Sequence, residues 1–142
     1  MSMMRLATRA SGGRANLHQG AVGVGLDIRT GHTLHAVMNN LPIEKHPDTG
    51  VDLLTLKVPL WREHLEIASK AYEMTGLGYL GADIVLDEQR GPMMLELNAR
   101  PGLAIQIANL IGLSGRLKEI DKTYPQGLTP LERVDYVLGK LD

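Results

Sequence analysis

The chain predicts an α+β fold, an antiparallel β-sheet with packed helices, on three observations. Two stretches alternate apolar with small or polar residues on either side of a turn-like segment, as β-hairpins do. An amphipathic segment between the hairpins has helical spacing. Two further segments after the second hairpin carry helix-stop or helix-start signals. The expected order is hairpin, helix, hairpin, helix, helix.

The first strand is expected at Met4 to Thr8, followed by the loop Ala10-Ser11-Gly12-Gly13-Arg14-Ala15-Asn16-Leu17-His18-Gln19-Gly20. Ala21 to Ile28 alternates small and apolar residues as a strand, Arg29-Thr30-Gly31-His32 turns, and Thr33 to Met38 returns. The polar passage from Asn39 to Gly50, with Pro42 and Pro47, reads as an ordered loop. Pro59-Leu60-Trp61-Arg62 starts a helix to about Thr75. Its apolar side is Leu60, His64, Ile67, Ala68, Ala71, Tyr72 and Met74, and Gly76 and Gly78 end it.

The second hairpin pairs Ala82-Asp83-Ile84-Val85-Leu86 with Met93-Met94-Leu95-Glu96-Leu97-Asn98. Ala99-Arg100-Pro101-Gly102 breaks the strand, and Leu103 to Ile111 reads as a buried helix closed by Gly112. Lys118 to Gly127 reads as polar connection. Thr129 as N-cap, Pro130 in the first turn and Glu132 closing a capping box open the last helix.

With 142 residues, 44% of them hydrophobic, and a net charge of −1, the chain describes one ordinary globular domain with a real core. It carries no basic excess and only 4% aromatic residues, which speaks against a nucleic-acid partner. No stretch approaches a membrane span, so no membrane partner is expected. The absence of cysteine excludes disulfide and cysteinyl-zinc designs and fits a cytoplasmic location.

The second hairpin carries the chemistry. A symmetric loop that pairs Leu86 with Met93 also pairs Asp83 with Glu96. Alternation then sets Asp83, Glu96 and Asn98 on one face and Ile84, Leu86, Leu95 and Leu97 on the other. Opposed carboxylates repel, and a hard divalent cation such as Mg²⁺ removes that penalty using carboxylate and amide oxygens. The alternatives are a solvated acidic face, or a one-residue bulge that moves the acids apart. Arg100, at the strand-to-helix turn, suits an anionic group.

The glycine-rich segment is the second candidate: glycines let backbone amides approach a ligand, and Arg14 offers a planar fork to phosphate oxygens. It lacks the lysine and hydroxyl of a P-loop and is not a Rossmann fingerprint. Without further context a flexible turn bearing a surface arginine is the favoured reading. His32 and His35, three apart in a hairpin, make a poor zinc pair, and His64 reads as a packed histidine. His46-Pro47-Asp48-Thr49-Gly50 looks like turn chemistry, with Asp48 and Gly50 in the expected roles, the alternative being a substrate loop. Ser11 and Ser114 lack a base or oxyanion context, which argues against a serine hydrolase.

Gly81-Ala82-Asp83, Leu95-Glu96-Leu97-Asn98, Ala99-Arg100-Pro101-Gly102 and Arg14-Ala15-Asn16-Leu17-His18 together resemble the ATP-grasp superfamily of ATP-dependent carboxylate–amine ligases. The branch most similar contains the ribosomal S6 glutamate ligases and α-L-glutamate ligase-like proteins. The resemblance runs from Arg5 to about Leu117. It implies ATP and Mg²⁺, or Mn²⁺ in its place, as cofactors, with Asp83, Glu96 and Asn98 as metal ligands. It implies that Arg14, Ala15 and Asn16 contact ATP, with Arg14 stabilising the transferring γ-phosphoryl and Asn16 bonding a phosphate or the substrate, and that Arg100 meets a substrate carboxylate. Some related ligases carry an arginine two positions before the first metal aspartate, where this chain has Gly81.

The implied reaction joins a carboxylate substrate, glutamate in the nearest branch, to an amine acceptor through an acylphosphate. The resemblance covers only the C-terminal half of such an enzyme. Residues 1–142 are therefore expected to form a C-terminal ATP-grasp subdomain whose N-terminal and central domains are absent. On that basis the chain alone is expected to bind Mg²⁺–ATP weakly and to lack robust turnover, and either to self-associate or to need its missing half. Two rivals remain: a non-catalytic nucleotide- or Mg²⁺-binding half-domain, and a structural or assembly module.

Overall fold

The computed structural model describes residues 1–139, which fall into two compact units. One unit comprises Met1–Lys57 with Leu103–Tyr124, the other Val58–Gly102 with the described residues from Pro125 onward.

In the first unit β1 (Ser2–Leu6), β2 (Val22–Leu26), β3 (Thr33–Met38) and β4 (Leu41–Ile43) form an antiparallel sheet in chain order. Met4 pairs with Val24, Val24 with Ala36, and Ala36 with Ile43. This row and its neighbours Leu6, Val22 and Met38 gather with Leu53 and Leu56 into the apolar core. The opposite face explains the small residues of β2. A Cβ on Gly25 would collide with the Ala108 carbonyl oxygen of α3 (Ala104–Asn109), so the helix backbone lies directly on the strand. Asn109 Nδ2 stitches that helix to β1 by donating to the Ser2 carbonyl at 2.9 Å.

The structure departs from the sequence expectations at several elements. The first strand lies at Ser2–Leu6, not Met4 to Thr8. The polar passage after Met38 contains a fourth strand. Asn39 and Asn40, with φ of 51° and 64°, make the two-residue turn that two left-handed positions permit. Pro42 is tolerated because β4 is the sheet edge. The helix expected over Leu103 to Ile111 is shorter. It buries Ala108 and Asn109 and ends on Leu110 in the left-handed region, with Gly112 left to precede the next helix. Leu103 and Leu110 stay exposed at 60% and 58%, because only the side bearing Ala108 meets the sheet. The expected polar connection is largely α4 (Leu113–Thr123), a helix that buries none of its residues. Its Arg, Lys, Glu and Leu positions are good helix formers, and its glycine N-cap offers no side-chain start signal.

In the second unit, α1 (Trp61–Ser69) packs against α5 (Pro130–Val137) and the hairpin strand β6 (Gly91–Asn98), which pairs with β5 (Gly81–Asp87). Arg62 bonds Asp135 at 2.7 Å and Glu66 at 2.8 Å, and Ser69 Oγ donates to the Pro130 carbonyl at 2.7 Å. The expected single helix breaks at Lys70, after which α2 (Ala71–Thr75) follows. The break adjoins Ser69, whose carbonyl accepts from Arg133 Nη1 at 2.9 Å. Tyr72 and Met74, expected on the apolar side, are exposed at 49% and 71% beyond it. The last helix starts as expected, with Pro130 in its first turn and the reciprocal Thr129–Glu132 capping box. Among the described residues no helix is long and apolar enough to cross a membrane.

Candidate functional site

The β5–β6 hairpin brings the predicted acids together through an irregularity. Near the turn Leu86 pairs with Pro92 and Ile84 with Met94, one residue off the symmetric register expected from the sequence. Leu95 then forms a bulge, and beyond it Asp83 stands directly opposite Glu96, with Gly81 opposite Asn98. The bulge aligns the acids instead of separating them. It also turns Leu95 out to 63% exposure, removing it from the apolar face assigned to it.

The one-residue offset originates in the turn. Asp87 pairs with Gly91, whose φ of 72° closes a short loop of Glu88, Gln89 and Arg90. Asp87 Oδ1 accepts from the Gln89 and Arg90 amides, both at 2.9 Å. On the acidic face Asn98 Nδ2 donates to Glu96 Oε1 at 3.1 Å. That contact uses the nitrogen, not the oxygen, of the Asn98 amide. Glu96 is exposed, while Asp83 and Asn98 are half-buried.

Arg100 lies exposed in the bend after β6. The next residue, Pro101, sits against the start of β5: a Cβ on Gly81 would stand 2.8 Å from the Pro101 Cβ. This accounts for glycine at position 81, since the proline ring leaves no room for a side chain.

In the first unit the glycine-rich segment is built differently from the expectation. The amides of Gly12, Gly13 and Arg14 donate to the carbonyls of Arg9, Thr8 and Ser11 at 3.0, 3.0 and 3.3 Å, so these three are not aimed at a ligand. Gly12 and Gly13, with φ of 62° and 75°, serve the turn itself. Arg14, Ala15 and Asn16 are exposed. Asn16 caps the short 3-10 turn Leu17–Gln19, its Oδ1 accepting from the His18 amide at 3.0 Å. What remains for an anion is the Arg14 guanidinium, the Asn16 side-chain amide nitrogen and the exposed backbone at Ala15.

Ser11 is consumed structurally. Its Oγ accepts from the Thr8 amide at 2.9 Å and donates to the Thr8 carbonyl at 2.9 Å, while Thr8 Oγ1 donates to the Gly20 carbonyl at 2.8 Å. His64 is buried, bonded through Nδ1 to the Leu60 carbonyl at 2.9 Å and stacked on Trp61, a packed histidine as expected.

Two residues of the expected turn at His46 to Gly50 reach behind the glycine-rich segment. His46 is buried and bonds the Ala7 carbonyl at 3.0 Å, and Asp48 Oδ2 accepts from the Arg9 amide at 2.8 Å. Nothing local in the sequence links positions 46–48 to 7–9. Among the described residues no group of three or more histidine, aspartate or glutamate side chains could hold a metal ion. The hairpin set, by contrast, is two carboxylates and an amide.

A model of the sugar-transfer associated ATP-grasp family matches residues 1–122. The chain belongs to that family. The match spans β1 to α4 and so takes in both the glycine-rich segment and the acidic hairpin of this ATP-grasp protein. ATP-grasp proteins in general bind ATP and Mg²⁺. Membership supports the superfamily resemblance without singling out its glutamate ligase branch. No curated protein and no solved structure matches the chain.

Proposed function

We propose that this chain is an ATP-grasp ligase module that binds Mg²⁺–ATP at the β5–β6 hairpin and serves the activation of a carboxylate as an acylphosphate. The observation that carries the proposal is the direct opposition of Asp83 and Glu96, with Asn98 on the same side. Two carboxylates in register repel, and the oxygen donors at hand fit a hard divalent ion, Mg²⁺ or Mn²⁺. Asp83 and Glu96 would hold that ion through carboxylate oxygens and Asn98 through its amide oxygen. Bound there, the ion neutralises charge on the ATP phosphates.

In the proposed reaction a substrate carboxylate oxygen attacks the γ-phosphorus and ADP leaves. An amine then attacks the acylphosphate carbon, releasing phosphate and forming the amide. The Arg14 guanidinium would take phosphoryl oxygens in its planar fork, with Asn16 donating beside it. Ala15 would line that contact through its backbone, and Arg100 would pair with the substrate carboxylate. Glutamate as substrate rests on the resemblance to the glutamate ligases. The family's description, sugar-transfer associated, favours a second reading in which the acceptor belongs to a sugar-bearing compound.

Titrating the full chain with Mn²⁺, with and without ATP, followed by electron paramagnetic resonance, tests the proposal. Asp83→Asn and Glu96→Gln should each weaken Mn²⁺ binding at least about tenfold, as even outer-shell changes at metal sites do. Unchanged Mn²⁺ affinity in both variants overturns the metal site. Intact Mn²⁺–ATP binding with no amide formation from any carboxylate and amine, even with the remaining ATP-grasp domains supplied, favours the non-catalytic half-domain instead.

A further inference from the structure

The glycine-rich segment hangs from a fixed base, and the base is held from outside by a distant turn. The turn His46 to Val51 is closed on itself: the His46 amide donates to the Val51 carbonyl and the Gly50 amide to the His46 carbonyl, both at 2.9 Å. The Asp48 amide donates to His46 Nδ1 at 3.3 Å, which leaves the ring proton on Nε2, where it bonds the Ala7 carbonyl at 3.0 Å. Asp48 Oδ2 accepts from the Arg9 amide at 2.8 Å. Two side chains of one turn thus grip both ends of Ala7-Thr8-Arg9.

Thr8, between the gripped residues, organises the loop from Ala10 to Gly20. Its hydroxyl bonds the Gly20 carbonyl at 2.8 Å, and its backbone and hydroxyl exchange bonds with Ser11. Entry and exit of the loop are therefore joined at Thr8. From Gly12 to Asn16 the segment is exposed, and no neighbouring atom lies within 4 Å of a Cβ added to Gly12 or Gly13. Arg14 stands in this exposed stretch, its amide bonded to the carbonyl of the anchored Ser11 at 3.3 Å.

We infer that His46 and Asp48 are positioning residues for Arg14, holding its guanidinium where it meets a phosphate. This rests on the proposed role of Arg14 toward ATP. A positioned charge binds an anion better than a mobile one because less ordering remains to be done on binding. The clasp spends one buried imidazole and one charged acceptor on two backbone groups, and hydrogen bonds to charged groups are the stronger kind.

A double-mutant cycle on the full chain, titrated with Mg²⁺–ATP and followed by ¹⁵N NMR shifts, tests it. Asp48→Ala should weaken Mg²⁺–ATP binding about tenfold, the loss expected for one charge-assisted hydrogen bond. Asp48→Asn, which keeps an acceptor oxygen for the Arg9 amide, should recover most of it. In an Arg14→Ala background the Asp48→Ala effect should shrink below about twofold. Amide exchange of the ligand-free Asp48→Ala protein should speed up between Thr8 and Gly20 while β2 and β3 stay protected.

An equal loss in both backgrounds, or wild-type affinity in a folded Asp48→Ala chain, overturns the inference and leaves the role of Arg14 standing. Wild-type affinity in Arg14→Ala, or no saturable Mg²⁺–ATP shift in the wild-type chain, overturns the role of Arg14 and this inference with it.

Discussion

Pro101 fills the space that a side chain at Gly81 would need. The 2.8 Å approach of a Cβ on Gly81 to the Pro101 Cβ locks the bend carrying Arg100 onto the start of β5, two residues from Asp83. Gly81→Ala should therefore destabilise the second unit by about 1–3 kcal/mol, the usual cost of overpacking. Gly102→Ala, where a Cβ meets nothing within 4 Å, should be near neutral. Urea unfolding of the two variants checks this, and a Gly81→Ala chain as stable as wild type contradicts the packing described.

Gly25 is packed just as closely. The Ala108 carbonyl is part of the α3 backbone and cannot swing aside as a side-chain tip would. Gly25→Ala should cost about 3 kcal/mol and loosen α3 from the sheet. Hydrogen exchange should show α3 losing protection more than β5 and β6.

Mg²⁺ should stabilise the wild-type chain against heat. At tenfold excess over its dissociation constant, a native-state ligand adds about 1.4 kcal/mol. The Asp83→Asn/Glu96→Gln double variant should show no Mg²⁺-dependent rise in Tm. An equal rise in both proteins assigns the effect to some other site.

Acid should act on the helices of the second unit. Arg133 donating to Glu73 holds that carboxyl below the ordinary glutamate value, and the Thr129 hydroxyl, then its backbone amide, does the same for Glu132. A depressed folded pKa gives stability that is complete above the unfolded-state pKa and lost as pH falls through the folded value. Thr129→Ala should cost about 1 kcal/mol near neutral pH, the usual worth of an N-cap. Melts at stepped pH should show its gap from wild type narrowing on acidification through the glutamate range.

The legible parts of this fold are those written locally. Thr129, Pro130 and Glu132 announce their helix because each cap residue serves an amide within one turn. β3 matches its expected span because its alternation is bounded by turn residues on both sides. The hidden parts depend on partners distant in sequence. Gly23 and Gly25 look like strand padding until their neighbours Leu17 and α3 are laid against them, and the helix break at Lys70 adjoins a carbonyl held by Arg133.

The acidic pair lies between these cases. The sequence places Asp83 opposite Glu96, but by a symmetric register that the turn at Asp87 and Gly91 does not adopt. The bulge at Leu95 supplies the missing residue, and no pattern in Met93-Met94-Leu95-Glu96 signals it. The clasp of His46 and Asp48 is invisible in the sequence for the same reason as the Gly25 contact: its partners lie 39 residues away.

Paramagnetic relaxation by Mn²⁺ tests the central claim most directly. Substoichiometric Mn²⁺ added to the ¹⁵N-labelled chain should first extinguish the amide signals of Asp83, Glu96 and Asn98, and Mg²⁺ in excess should restore them. Signals lost first anywhere else, or quenching that persists unchanged in Asp83→Asn/Glu96→Gln, would contradict a divalent ion held between the two facing carboxylates.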